Sequence, residues 1–127
     1  MENEALNDKL KELKIEDFIW FIYIFIILLS WYSNTLERKY FINNDLESKE
    51  KYRKIMIFIF SVLIIVYLYF LKDSYKDLQN LNDNDSPKTK SLIYLSFIAS
   101  FLIVISGVIF LYIAIEDKDL NVELAFN

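Results

Sequence analysis

Three stretches without a single charged residue dominate this chain. Residues 18–36 give 19 such positions, 55–71 give 17 and 91–115 give 25. A hydrocarbon core ~30 Å thick needs about 20 helical residues to cross it. The third stretch is ample and the first sufficient. The second is extended by Lys54 and Lys72, whose methylenes can lie along lipid while the ammoniums reach the headgroups. A soluble domain would mix apolar and polar positions at helical or strand period instead of collecting them in blocks. No segment alternates at period two, and in lipid a span must satisfy its backbone internally, which leaves helices. The expected fold is therefore an all-α membrane protein with three transmembrane helices at about 17–36, 54–72 and 90–115.

The rest of the chain divides around these spans as one helical membrane domain, 1–127. Residues 1–16 read as an amphipathic surface helix: Leu6, Leu10 and Leu13 share one face, and Glu4, Asp8, Glu12 and Glu16 another. Residues 37–53 form a basic loop and helix extension, with Asn43-Asn44-Asp45 as the first turn signal. Residues 73–89 form a polar loop, in which Ser86-Pro87 is a helix start, and 116–127 an acidic tail. The leading segment is net acidic and no A-x-A-like site follows the first block, so that block reads as a retained span and not a cleaved signal.

Lysine and arginine are tied between the two sides. Seven lie on the side of the amino-terminal segment and second loop, and seven on the side of the first loop and tail. Local bias around the first span, three before against six after, places the first loop in the cytoplasm. The expected location is the plasma membrane of a prokaryote, as a multi-pass protein.

Chemistry is sparse. The 127 residues include no cysteine and no histidine, so no thiolate site, Cys–His dyad or Ser–His–Asp triad can be assembled. No charge lies inside the stretches 18–36, 55–71 and 91–115, where one would mark an ion path or substrate site. Asp83-Asn84-Asp85-Ser86 opens like a calcium loop but lacks the glycine and closing glutamate at their positions. A net charge of −4 argues against nucleic acid as a partner. The expectation is no enzyme, no cofactor and no metal.

What remains is helix contact. On the third span Ser96, Ala99, Ser100, Ser106, Gly107 and Ala114 form a strip of small residues, with Ser100, Gly107 and Ala114 seven apart. Small residues let helix backbones approach closely in lipid. Phe97, Leu102, Ile105 and Ile109 read as its lipid-facing counterpart. Trp31, Tyr32, Tyr67 and Tyr69 read as anchors at the membrane boundary. Ser30 and Ser61 read as hydroxyls bonded back to a carbonyl one turn earlier. The partners expected are the bilayer and a membrane protein or further copies of this chain. The function expected is a non-enzymatic accessory, structural or regulatory subunit acting by helix–helix interaction. The alternative is a homo-oligomeric, membrane-permeabilising protein. Some phage holins resemble this layout in having three spans, though many holins carry a basic tail and this tail is acidic.

Overall fold

The computed structural model describes residues 2–124; Met1 and 125–127, the outer ends of the expected surface helix and tail, lie outside them. The described residues form three helices: α1 Glu2–Asn43, α2 Leu46–Gln79 and α3 Pro87–Glu116. Two of them, α2 and α3, are long and apolar enough to cross a membrane.

The expected division at residue 16 does not occur. α1 runs unbroken for 42 residues, because no proline or glycine interrupts it before Asn43. It ends where Asn44 adopts φ 52°, a left-handed conformation that asparagine tolerates better than most residues. Asp45 then caps α2, accepting from the Glu47 and Ser48 amides at 3.1 and 3.4 Å and from Ser48 Oγ at 2.9 Å. These hydrogen bonds to Ser48, side chain before backbone, hold the Asp45 carboxyl below its ordinary value. At the other turn Ser86 Oγ accepts from the Thr89 amide, with Pro87 in the first turn of α3.

Helices α1 and α3 pack on α2, and their backbones do not approach each other among the described residues. The seams are regular. On α1 the covered or half-covered positions include Glu12, Glu16, Ile19, Tyr23, Ile26, Ser30, Ser33, Glu37 and Tyr40. On α3 they include Ile93, Phe97, Ser100, Val104, Gly107, Leu111 and Ala114. Both sets alternate steps of four and three, the repeat of left-handed helix pairs. α2 serves both partners and holds the core: Met56, Ile59, Phe60 and Leu63 are almost wholly enclosed. Phe60 stacks on Phe110 of α3 with centroids 5.5 Å apart.

The tail folds back instead of trailing away. The Asp117 carboxylate accepts from the Asn121 and Val122 amides at 3.0 and 2.8 Å, Leu120 turns the chain at φ 54°, and Leu124 joins the core beside Tyr52 and Met56. Arg53 of α2 donates to the Ile115 carbonyl at 2.9 Å, placing a cation where the end of α3 presents unpaired carbonyls. Lys49 meets Asp119 at 3.4 Å and lies 5.1 Å from the Tyr40 ring.

Candidate functional site

The small-residue strip of α3 divides between two surroundings. Ser100, Gly107 and Ala114 face α2, with Gly107 and Ala114 buried. A Cβ at Gly107 would sit 3.2 Å from Ile64 Cγ1 and 3.3 Å from Tyr67 Cδ2, tighter than ordinary van der Waals contact. The missing side chain makes room for the Tyr67 ring. Ser100 and Ser74 share a hydrogen bond of 2.9 Å. Ala99 and Ser106 are exposed, away from the seam, while Ser96 is exposed at the edge of the space between the helices. The strip is wider than the seam because an interface stepping by four and three uses one narrow line of a helix.

Phe97 departs from its expected lipid-facing place: it is half-buried, with its ring 6.0 Å from that of Tyr75 on α2. Leu102 and Ile109 are more than half exposed and Ile105 is 40% exposed. Among the expected boundary anchors, Trp31 and Tyr32 are exposed. Tyr67 instead packs inward against Gly107. Tyr69 is half-buried beside Glu12 and Lys72, in a groove between α1 and α2. Ser61 donates to the Ile57 carbonyl at 2.7 Å. Ser30 does not behave so. Its buried hydroxyl has no partner among the described residues, and its carbonyl accepts from Ser33 at 2.6 Å.

Ser30 and Ser33 are the contact residues that sequence reasoning missed. They give α1 its own close approach to α2, with Ser33 fully enclosed. The signal was present in the seven-residue spacing Ile19, Ile26, Ser33, Tyr40. It was masked because the same seam carries Glu12, Glu16 and Glu37, so polarity does not separate the two faces of this helix.

Glu37 sits where α1, α2 and the tail converge. Burial is the main cause raising its carboxyl above the ordinary value, the Glu123 charge adds to this, and a hydrogen bond from Tyr52 opposes it. A carboxyl raised in the fold stabilises the fold when protonated, and that contribution is lost as pH rises through its folded value. Lowering the pH from neutral toward the ordinary value of 4.5 should therefore stabilise the wild type relative to Glu37→Gln. Thermal unfolding of both proteins across that range measures the difference. Parallel curves would remove Glu37 as the source.

Between the three helices lies a recess of about 330 Å³. Tyr23 of α1 and Tyr67 and Phe70 of α2 form its aromatic wall. Asp73, Ser74 and Asp77 of α2 and Ser96 and Ser100 of α3 supply polar groups. No lysine or arginine lines it, and no ion pair engages Asp73 or Asp77 among the described residues. The Asp73 carboxyl is raised by burial first, then by the charges of Glu12 and Asp77, against the smaller opposing pull of Lys9 and Lys76.

The register of α3 on α2 sets the depth of this recess. Arg53 meets Ile115, Phe60 meets Phe110, and Ser74 meets Ser100. The uncharged stretch of α2 stops at Leu71, while that of α3 continues from the level of Ser74 back to Ser91. Those nine residues, 91–99, add ~13 Å of helix. Lys72, Asp73, Lys76 and Asp77 therefore stand beside an apolar wall.

The chain matches no family model, no curated protein and no solved structure. The geometry itself carries the functional argument.

Proposed function

We propose that the chain is a three-span integral membrane protein that acts by helix–helix contact, as a non-enzymatic accessory, structural or regulatory subunit. The observation that carries this reading is the bareness of its apolar helices. Only 11% of the most apolar window of α3 and 28% of that of α2 is buried. A water-soluble fold would cover most of such a surface, since large exposed apolar patches drive association. α1 extends the same surface: Phe21, Phe25, Ile27 and Leu28 are all more than half exposed, within the uncharged stretch 18–36 that we assign as the first span.

Contact with another protein fits what the seams leave unused. Each outer helix spends one line on α2, and the rest of its circumference is free. Ala99 and Ser106, seven apart on α3, offer a further close approach.

The test begins with the full chain expressed in a bacterial membrane. It should stay with the membrane through alkaline carbonate washing and float with liposomes. Recovery in the soluble fraction would overturn the reading. Native mass spectrometry in nanodiscs then gives the assembly. A monomer that cross-links to another protein in native membranes fits a subunit. A defined homo-oligomer that leaks ions from liposomes would replace this reading with the permeabilising one. The end holding Arg38, Lys39, Lys49, Lys51, Arg53, Lys54 and Lys118 is assigned to the cytoplasm, so a reporter fused after Asn127 should read as cytoplasmic.

A further inference from the structure

The recess between the three helices combines two features that recognise one kind of group. Carboxylates attract cations of every sort. Aromatic ring faces add selectivity for organic ammonium, whose charge is spread and weakly held by water. Asp73 and Asp77 supply the first, and Tyr23, Tyr67 and Phe70 the second. No lysine or arginine among the described residues lines the recess, so the Asp73 and Asp77 carboxylates border it without an ion-pair partner there. The nearest positive charge lies outside the recess. Lys72 and Lys76 line a neighbouring groove that Asp73 also borders, Lys76 and Lys9 act on Asp73 only through space without forming an ion pair, and Lys90 donates to the Asp83 carbonyl.

Size and level narrow the choice. A volume of about 330 Å³ exceeds what a bare metal ion needs and suits a small substituted amine. The shared hydrogen bond of Ser74 and Ser100 marks the level at which the uncharged stretch of α2 has ended. Alongside and beyond it, Leu95, Ile98 and Phe101 of α3 remain outward and exposed. On the membrane reading above, this is the height of lipid headgroups.

We propose that this recess binds an ammonium group, with Asp73 and Asp77 as counter-charges and the rings of Tyr23, Tyr67 and Phe70 as its walls. A phosphoethanolamine lipid headgroup and a free small amine both carry this group, and the chemistry of the site is common to both.

The test uses the full chain in nanodiscs of phosphatidylglycerol, which carries no ammonium. Binding of short-chain phosphatidylethanolamine is followed by native mass spectrometry, and binding of radiolabelled ethanolamine by equilibrium dialysis. One of the two should bind, and whichever does identifies the source. Asp73→Asn combined with Asp77→Asn should weaken it by about ten-fold or more, the usual loss when a charged hydrogen-bonding group is removed. Tyr23→Phe keeps the ring and should bind normally, whereas Tyr23→Leu should not. Asp83→Asn, outside the recess, should have no effect. Failure of both ligands to bind the wild type, or equal binding by the asparagine pair, overturns the proposal. The dialysis can be repeated in detergent, so it is decided separately from whether the chain crosses a membrane.

Discussion

Gly107→Leu should separate α3 from α2. A leucine there must occupy the space held by Tyr67 and Ile64, whose atoms lie 3.3 and 3.2 Å from where its first carbon would stand. Tyr67 can yield only by turning into the recess that it lines, and Ile64 lies on the seam, so the whole leucine side chain is placed at the cost of the contact between the two helices. Overpacking of this kind costs about 1–3 kcal/mol. The cost falls on the contact that holds α3 to the rest of the described residues. Gly107→Ala is the instructive control. Its single carbon asks for a shift of a few tenths of an ångström, and the gain of about 1 kcal/mol in helix propensity offsets the strain. Unfolding in mild detergent, read by near-ultraviolet dichroism of the aromatic seam, should rank wild type and alanine together with leucine well below. Equal stability of all three would mean that α3 is not held through this line.

Phe60→Ala is the second large effect, and its size reports on the surroundings of the protein. Phe60 is 1% exposed and stacked on Phe110. In a water-soluble core such a truncation costs about 3–5 kcal/mol, combining lost transfer from water with the cavity left behind. Between helices in a bilayer the transfer part largely disappears, because the unpacked ring would meet lipid instead of water. The cavity part remains, at about 2 kcal/mol for a void of roughly 100 Å³. Steric-trap or denaturant unfolding in bicelles should give the smaller figure. A loss of about 4 kcal/mol or more in lipid would say that packing alone binds these helices more tightly than that void allows.

The helical class and the turns were legible because they rest on local chemistry. Uncharged stretches imply helices in lipid, and Asp45 and Ser86-Pro87 cap the helices that follow them. The line Ser100, Gly107, Ala114 could be drawn from spacing alone. Other features needed the third dimension. Phe97 and Tyr67 were assigned to lipid and boundary by residue type, yet the register of α3 on α2 gives each ring a partner across the seam. The length of α1 was hidden by its own polarity, since Glu12, Glu16 and Glu37 lie along the face that packs. The folded tail depends on Arg53 and Lys49, more than sixty residues earlier in the chain. The recess was invisible for the same reason. Tyr23, Asp73 and Ser96 come from three separate helices, and only their stacking order brings them to one level.

That stacking order has a mechanical consequence. Because the backbones of α1 and α3 approach α2 and not each other among the described residues, the molecule is joined largely in series, like two leaves sewn to one spine. Strain introduced on one leaf reaches the other chiefly by moving the spine. Substitutions at Ile19, which lies outside the shared core cluster, and at Ala114 within it should therefore add independently in free energy. A force applied along α1 should strip that helix away in one event and leave the α2–α3 hairpin standing, with the tail still clasped by Arg53.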